Sequence, residues 1–180
     1  MANAVSFAAR AGRMLTTGSV ELGGREVIVA DFDASERRGA LNLADGKKLA
    51  EAIQVATAHR VPFVATIASS GADISEGVEA LHGWGPAARA MARASGVIPL
   101  LVALDGPAVS GPALLLGLAD HVVMTARAYA FVSGPRMVRQ FTGMRISNEL
   151  LGGPAQHERI SGVATSVAPD LDAALDRLAE

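Results

Sequence analysis

Short apolar runs alternate with longer amphipathic stretches along most of the chain. The runs at 26–31, 61–67 and 99–104 are too short for helices of their own and are typical of buried strands. Between them lie 41–60 and 76–95, where apolar residues recur at helical spacing. Strands separated by helices predict an α/β fold, with parallel pairing and right-handed crossovers.

Punctuating residues set the limits of the other predicted elements. Residues 1–17 carry apolar positions near one helical face and predict a short helix. Gly23-Gly24 predicts a hairpin turn between strands at 19–22 and 26–31, since both glycines accept positive φ. The second long helix is expected to break around 83–86. The remaining predicted elements are a loop at 33–38, strands at 122–125, 128–132 and 163–167, and helices at 111–120, 136–141, 146–151 and 171–180.

Turns of small residues follow three of the predicted strands, at 68–73, 106–111 and 133–135. The carboxyl ends of parallel strands lie along one edge of a sheet, so all three turns are expected on one rim. Glycine at 106 and 111 leaves no Cβ between the main chain and a ligand. Unpaired amides at a helix start attract an oxygen that is gaining negative charge, which predicts an oxyanion site. The same pattern also fits turns that serve packing alone.

Composition narrows the class of protein further. A chain of 180 residues is expected to form one domain, 1–180, and its net charge of −2 does not favour a nucleic-acid partner. No apolar run reaches the length of a membrane span, and the first residues lack the ordered regions of a signal peptide. The absence of cysteine excludes disulfides and thiolate metal sites, predicts no metal, and fits a cytoplasmic protein.

Six groups of short strings carry a family resemblance. In this order and spacing they resemble the crotonase superfamily, and within it the N-terminal (β) half of the carboxyltransferase subunit of biotin-dependent acyl-CoA carboxylases. The resemblance covers nearly the whole chain, from about 18 to 178. The strings are Gly-Ala-Leu at 39–41 with Gly-Lys-Lys-Leu at 46–49, Ser-Ser-Gly-Ala-Asp-Ile-Ser-Glu-Gly-Val at 69–78, Ala-Ser-Gly-Val-Ile-Pro at 94–99, Gly-Pro-Ala-Val-Ser-Gly at 106–111, Phe-Val-Ser-Gly-Pro at 131–135, and Leu-Gly-Gly-Pro-Ala at 151–155 with His157 and Ser-Gly-Val-Ala at 161–164.

The resemblance implies a ClpP/crotonase-like fold, a spiral of ββα units with a mostly parallel core sheet and flanking helices. It also implies that acyl-CoA lies along this half, where two backbone amides hold the thioester carbonyl as it becomes an enolate. Preorganised amides of this kind stabilise the developing charge by roughly 3–4 kcal/mol per donor. The positions that match the oxyanion turns are Ser70, Gly71, Ala72, Ser110 and Gly111. The positions assigned to CoA binding are Arg37, Arg38, Lys48, Gly106, Pro107 and Gly134, with Lys47 as a further phosphate contact.

Both turns depart from the pattern of the family. The usual Asp-Ser-Gly-Gly-Ala-Arg is replaced by Ala-Ser-Ser-Gly-Ala-Asp at 68–73. The usual Ala-Gly-Gly-Ala is replaced by Val-Ser-Gly-Pro at 109–112, in which Pro112 lacks an amide hydrogen. These changes leave open a different acyl group, a decarboxylating relative, or a subunit that supports an active partner.

The resemblance also implies partners. The C-terminal (α) half of the carboxyltransferase has no counterpart here, so another polypeptide is expected to complete the site in a hetero-oligomer. A biotin carboxyl carrier protein is expected to supply the biotin, since the chain has neither a Met-Lys biotin attachment sequence nor a P-loop for ATP. A lone hydratase or isomerase is disfavoured, because residues 113–115 offer no glutamate as acid or base. A biotin-independent malonyl-thioester decarboxylase subunit and a non-catalytic assembly subunit remain alternatives.

Several side chains have both a functional and a structural interpretation. His82 and Trp84 either line the acyl or pantetheine channel or pack in the core or at an interface, and His157 is either catalytic or a helix-cap or packing residue. Asp73 and Glu76 are either a carboxylate pair or charges at a helix start. Asp120 is expected to be structural, and three methionines are expected to fill the core: Met124, Met137 and Met144.

Overall fold

The computed structural model describes residues 10–11 and 14–180. Eight strands alternate with seven α-helices in the described part of the chain, with short 3₁₀ turns at Arg37–Gly39 and Ile74–Glu76 and a π turn at His157–Ser161. The strands are β1 (Arg10–Ala11), β2 (Leu15–Leu22), β3 (Arg25–Phe32), β4 (Phe63–Ser69), β5 (Leu100–Val109), β6 (His121–Thr125), β7 (Tyr129–Phe131) and β8 (Ser166–Ala168). The helices are α1 (Leu43–His59), α2 (Val78–Ala94), α3 (Gly111–Leu116), α4 (Pro135–Thr142), α5 (Asn148–Gly152), α6 (Pro154–Gln156) and α7 (Leu171–Ala179).

One mixed sheet organises the molecule, in the order β1-β2-β3-β4-β5-β6-β8. The first three strands are antiparallel neighbours, and the pairs from β3 to β8 along this order are parallel. Strand β5 pairs with β6 over its first half and with β7 over residues 107–109. This change of partner carries the end of β5 away from β6, towards the turn that follows Val109. The predicted α/β fold with a mostly parallel sheet is confirmed.

Side-chain alternation along the central strands divides the core between two faces. On β4, Phe63, Ala65 and Ile67 face the larger core, which includes the buried faces of α1, α2 and α3. The intervening Val64 packs with Ala174 and Leu178 of α7 on the other face. Both faces of the sheet are therefore covered, as expected for parallel strands.

Helices α1 and α2 pack closely because glycine faces glycine where they cross. A Cβ built on Gly46 would lie 2.6 Å from the backbone of Gly83. The predicted break at 83–86 is therefore wrong: α2 is continuous, and Pro86 lies inside it. Buried Ala87 and Met91 continue the helical face beyond the proline. Gly83 allows the close contact between the two helices and does not interrupt α2. The packing of α2 outweighs the loss of the backbone hydrogen bond that Pro86 cannot donate.

Other boundaries also differ from the predictions. The helix predicted at 1–17 is wrong for residues 15–17, because β2 begins at Leu15 and pairs with β3. Residues 1–9 and 12–13 of this predicted helix lie outside the described residues. Residues 106–109 belong to β5 rather than to a turn, and 107–109 pair with β7. The helix after this strand ends at Leu116, ahead of Gly117, instead of reaching 120. The last strand is shifted to Ser166–Ala168, where it pairs with β6.

The hairpin around Gly23 and Gly24 is confirmed, since β2 and β3 pair up to Leu22 and Arg25. Asp120 is structural as predicted: it exchanges hydrogen bonds with Leu100, through backbone and carboxylate. Among the described residues, none of the helices combines the length and apolar character that crossing a bilayer requires.

Candidate functional site

The first two small-residue turns lie side by side at the carboxyl ends of β4 and β5. Ser69 is in register with Ala108, so the two strands enter their turns together. A Cβ built on Gly71 would lie 2.9 Å from the carbonyl oxygen of Val109 and 3.7 Å from the Cβ of Ser110. The structure therefore brings residues 70–72 and 110–111 together, with only backbone between them at Gly71.

The third turn joins the same rim through a backbone hydrogen bond. The amide of Ser110 donates to the carbonyl oxygen of Phe131 at 3.0 Å, which holds the end of β7 against the second turn. Gly134 then begins α4 as its N-cap residue. The common rim expected for the three turns is thus present.

Three of the five amides at the predicted oxyanion turns already have acceptors within the fold. Ser70 donates to the carbonyl oxygen of Arg38 at 2.9 Å, and Gly71 donates to the hydroxyl of Ser69 at 3.2 Å. Ser110 donates to Phe131, as described above. The amides of Ala72 and Gly111 have no acceptor among the residues that the structure describes. One unpaired donor therefore belongs to each turn.

Ser110 adopts an unusual backbone conformation, with φ 65° and ψ −115°. A side chain in this region costs on the order of 1–3 kcal/mol, so the surrounding contacts must hold it in place. The hydrogen bond to Phe131 supplies one such contact. Strain of this kind concentrates at functional sites, where it fixes the direction of neighbouring groups. Here the neighbouring group is the amide of Gly111.

Trp84 lies beneath the second turn. A Cβ built on Gly111 would lie 2.6–2.9 Å from three carbon atoms of the indole ring, which no real Cβ tolerates. The ring is 8% exposed, and its Nε1 finds no acceptor within the described chain. The core interpretation of Trp84 is therefore confirmed, while the neighbouring His82 is exposed. The indole explains why position 111 is glycine.

The 3₁₀ turn at Arg37–Gly39 supports the first turn from below. Both arginines have left-handed backbone angles, with φ 45° for Arg37 and 56° for Arg38. The Ser69 hydroxyl donates to the carbonyl oxygen of Gly39 at 2.6 Å, and a Cβ at position 39 would lie 2.1 Å from the carbonyl oxygen of Ala68. The two predicted phosphate-binding arginines therefore lie next to the candidate site.

Asp73 and Glu76 have structural partners rather than each other. Asp73 accepts hydrogen bonds from the amide and hydroxyl of Ser75 and forms an ion pair with Arg37. The bonds from Ser75 and, to a smaller extent, Arg37 lower the pKa of the Asp73 carboxyl below its ordinary value. Glu76 accepts from the amide of Leu43 at 3.2 Å, at the start of α1. These contacts favour the helix-start interpretation of both carboxylates.

The other residues assigned to CoA binding lie in different places. The ammonium of Lys48 donates to the carbonyl oxygen of Leu15 at 2.9 Å, which ties α1 to β2. Gly106 and Pro107 line a cavity of about 560 Å³ beside β3, β4 and β5. A Cβ at Gly134 would lie 3.1 Å from the ring of Phe131. Only Gly134 is thus at the turns, while Gly106 and Pro107 lie along the strand that leads to them.

The cavity contains an ion pair that sequence reasoning missed. Arg127 forms a two-point contact with the carboxylate of Asp105, and the hydroxyl of Thr125 donates to the same carboxylate at 2.8 Å. Burial raises the pKa of Asp105, but the bonds from Arg127 and Thr125 outweigh it and leave the pKa lowered. Neither residue lies in a motif, and the pairing of β5 with β6, in which Leu104 is in register with Met124, brings them together.

The structure also shows which of the interpretations given for His157 and for the three methionines hold. His157 contacts the carbonyl oxygen of Ala130 through Nε2 and the hydroxyl of Ser161 through Nδ1, both at 2.8 Å, so packing accounts for it. Met124 is buried as predicted, but Met137 and Met144 are exposed, and their assignment to the core is wrong. Within residues 10–11 and 14–180, no three metal-ligating side chains come together.

A mostly parallel sheet whose central strands end in two facing small-residue turns fits a crotonase-like fold, and the comparisons agree. The chain belongs to the carboxyl transferase domain family, whose model matches residues 2–180. The family resemblance seen in the sequence is therefore confirmed.

The relatives are a carboxylase chain and a carboxyltransferase subunit. The propionyl-CoA carboxylase beta chain of Rhodococcus erythropolis is 38% identical over 93% of this chain and 35% of its own length. The methylmalonyl-CoA carboxyltransferase 12S subunit of Propionibacterium freudenreichii subsp. shermanii is 33% identical over 89% of this chain and 30% of its own length. The chain thus spans about a third of the length of the curated relatives it matches.

Two solved structures show the extent of the likeness in three dimensions. A transcarboxylase 12S structure with hydrolysed methylmalonyl-coenzyme A bound has a TM-score of 0.88 and 29% identity, and covers 99% of this chain and 37% of its own. The Pseudomonas malonate decarboxylase MdcD–MdcE hetero-dimer has a TM-score of 0.84 and 22% identity, over 98% of this chain and 79% of its own. At that identity the second likeness shows the fold alone.

Proposed function

We propose that this chain is the N-terminal (β) half of the carboxyltransferase of a biotin-dependent acyl-CoA carboxylase. It transfers a carboxyl group from carboxybiotin to the α-carbon of an acyl-CoA such as acetyl- or propionyl-CoA. The observation that carries the proposal is the pair of unpaired amides, Ala72 and Gly111, on two turns that touch each other. In this assignment residues 1–180 form a single domain.

The two amides act on the charge that the reaction creates. Removal of the proton from the α-carbon moves an electron pair onto the thioester oxygen, which becomes an enolate oxygen. Amides of Ala72 and Gly111 that donate to this oxygen stabilise it by roughly 3–4 kcal/mol each. Both donors are fixed before substrate binds, one by the contacts of the first turn and one by the strained Ser110 and the indole of Trp84. Carboxybiotin would supply the carboxyl group to the enolate carbon, and the biotin nitrogen that releases this group would take up the proton removed from the α-carbon, so that the transfer balances.

Ser70, Gly71 and Ser110 contribute through position rather than through donation. Their amides hold the two turns to Arg38, Ser69 and Phe131. This bonding keeps the unpaired amides from turning into the protein interior. The catalytic set proposed from the sequence is thereby divided into two donors and three positioning residues.

The CoA portion of the substrate is proposed to lie along the same rim. Arg37 and Arg38 next to the first turn are candidates for its phosphates, although Arg37 shares its charge with Asp73. Gly134 gives close backbone approach beside the second turn, and Gly106 and Pro107 line the adjoining cavity. Lys48 is kept as a weaker candidate because its ammonium contacts Leu15. The transcarboxylase 12S structure with hydrolysed methylmalonyl-coenzyme A bound supports an acyl-CoA ligand for this fold.

Two further components complete the proposed reaction. The relatives are about three times as long as the stretch they share with this chain, which supports a C-terminal (α) carboxyltransferase half as the first. A biotin carboxyl carrier protein that supplies the biotin is the second. The assembly is therefore proposed to be a hetero-oligomer in the cytoplasm, and no metal is assigned to this chain.

Reconstitution with the partner half distinguishes the candidate functions. The chain is mixed with the α half and a biotinylated carrier, and loss of the carboxyl group from malonyl- or methylmalonyl-CoA is followed. Transfer that requires the biotinylated carrier supports the proposal. Loss of CO₂ without biotin indicates a malonyl-thioester decarboxylase instead, and full activity without this chain indicates an assembly subunit.

A further inference from the structure

Three serines lie at the two facing turns, and two of their hydroxyls have acceptors within the fold. The hydroxyl of Ser69 donates to the carbonyl oxygen of Gly39 at 2.6 Å. The hydroxyl of Ser70 donates to the carbonyl oxygen of Arg37 at 3.4 Å. The hydroxyl of Ser110 has no hydrogen-bond partner in the part of the chain that the structure describes. It is therefore the serine hydroxyl that remains available to a ligand.

The backbone of Ser110 fixes the place of this hydroxyl. The amide of Ser110 donates to the carbonyl oxygen of Phe131, which holds the residue with φ at 65°. A Cβ built on Gly71 would lie 3.7 Å from the Cβ of Ser110, at an ordinary contact distance across the gap between the turns. Ala72 and Gly111 directly follow these two residues in the chain. The hydroxymethyl group of Ser110 therefore lies beside both unpaired amides.

A serine at position 110 has a cost that the fold does not recover. Glycine adopts a φ of 65° freely, whereas a residue with a side chain is strained there. A serine in front of a helix usually accepts a hydrogen bond from an amide of the first turn. Here the second residue of α3 is Pro112, which has no N–H, and Ser110 accepts no such bond. The side chain is also half-buried and fills no space in the core. Strain without a structural return is typical of a functional group.

We propose that the Ser110 hydroxyl is a third donor to the enolate oxygen, an inference that rests on the proposed function. The thioester oxygen held by the amides of Ala72 and Gly111 gains negative charge as the α-proton leaves. A serine O–H directed at developing charge stabilises it in the same way as a backbone amide. The hydroxyl keeps its own proton throughout, so it neither attacks the substrate nor removes the α-proton. Ser110 is then a catalytic residue through its side chain and a positioning residue through its amide.

Kinetics of the complex with the α half test the role of the hydroxyl. Ser110→Ala keeps the Cβ and the strain and removes only the oxygen, whereas Ser110→Gly removes all three. We expect both variants to lower kcat by about 10²-fold and to change KM by less than about twofold. S110A should keep the melting temperature of the parent chain, and S110G should not fall below it, because glycine suits this φ. Loss of activity without loss of stability separates a catalytic hydroxyl from a structural one.

Ser95→Ala is the matched control. Ser95 is an exposed serine that precedes β5, whereas the candidate site follows that strand. We expect S95A to keep both kcat and the melting temperature of the parent chain. Equal losses of kcat in S95A and S110A overturn the inference.

An enolate analogue separates this inference from the proposed function. Binding to the complex is measured for acetyl-CoA and for an acyl-CoA analogue with a nitronate in place of the enolate. We expect S110A to weaken nitronate binding by about 10²-fold and acetyl-CoA binding by less than about twofold. Parent kcat or parent nitronate affinity in S110A overturns the inference while leaving the proposed function standing. A parent complex that binds the nitronate more tightly than S110A does, but transfers no carboxyl group, refutes the proposed function and leaves the third donor in place.

Discussion

Replacement of Gly111 by alanine probes the second turn most sharply. The added Cβ would lie 2.6 Å from the nearest indole carbon of Trp84, where ordinary contact begins at 3.4 Å. The indole and the turn must therefore separate by about 0.8 Å. Trp84 is buried and cannot move outwards cheaply, so part of this displacement falls on the amide of Gly111.

The expected cost has a structural and a catalytic part. Overpacking of this kind destabilises a core by about 1–3 kcal/mol, which lowers the melting temperature of a chain of this size by roughly 2–4 °C per kcal/mol. Displacement of one oxyanion donor lowers kcat by about 10²–10³. Because the amide is proposed to act mainly on the enolate, kcat should fall more than KM rises.

Gly117→Ala is the matched control, at the other end of α3. A Cβ there would lie 3.6 Å from its nearest neighbour, the carbonyl oxygen of Leu114, and φ is −72°, which suits alanine. Its effect on stability should stay within about 0.5 kcal/mol, with unchanged kcat. The assays are thermal unfolding of the chain and carboxyl transfer by the reconstituted complex. Wild-type kcat in G111A, or equal losses in both variants, would refute the reasoning.

Three other predictions use contacts elsewhere in the fold. Gly85→Ala should stabilise the chain by roughly 0.5–1 kcal/mol in urea unfolding, because position 85 is exposed in α2 with open space around it. Gly46→Ala should destabilise the chain, because the added Cβ forces α1 away from α2. A stabilising Gly46→Ala together with a destabilising Gly85→Ala would contradict the glycine contact between the two helices. Arg127→Met should raise the pKa of Asp105 towards its ordinary value of 3.8 and reduce stability at neutral pH. A carboxyl whose pKa is lower in the folded than in the unfolded state stabilises the fold above its unfolded pKa, and this stabilisation is lost as the pH falls through the folded pKa. The stability lost in Arg127→Met should therefore shrink as the pH falls below about 4. A loss in urea unfolding that does not depend on pH would argue against the ion pair. Trp84, the only tryptophan of this chain, should change its fluorescence when acyl-CoA is titrated into the chain, and no change would place the ligand away from the second turn.

The sequence was most informative where one interaction decides the outcome. The hairpin at Gly23 depends on turn geometry alone, and the central strands are short apolar runs whose type follows from their length. The small-residue turns were recognisable for the same reason, because close backbone approach needs small residues. Their common rim then follows from parallel strands.

Tertiary contacts decided the elements that were predicted incorrectly. Gly83 and Pro86 look like helix breakers, but the close contact with Gly46 outweighs local preference. Residues 106–109 look like a turn, yet β7, a strand of only three residues, pairs with 107–109. Local sequence contains neither partner, so it predicts neither result.

The choice of amides also required the structure. The sequence identified the five residues that match the oxyanion turns. It did not show which of their amides have acceptors within the fold. The acceptors come from Arg38, Ser69 and Phe131, and only the fold brings the first and last of these to the turns. Met137 and Met144 were predicted incorrectly because apolar residues that are exposed in the fold can have the same sequence pattern as those that pack in the core.

A crystal structure of the chain with its α half and a non-hydrolysable acyl-CoA analogue tests the central claim most directly. The account predicts the carbonyl oxygen of the analogue within about 2.7–3.2 Å of the amide nitrogens of both Ala72 and Gly111. A carbonyl oxygen held instead by other groups, for example in the cavity lined by Asp105 and Arg127, would contradict it.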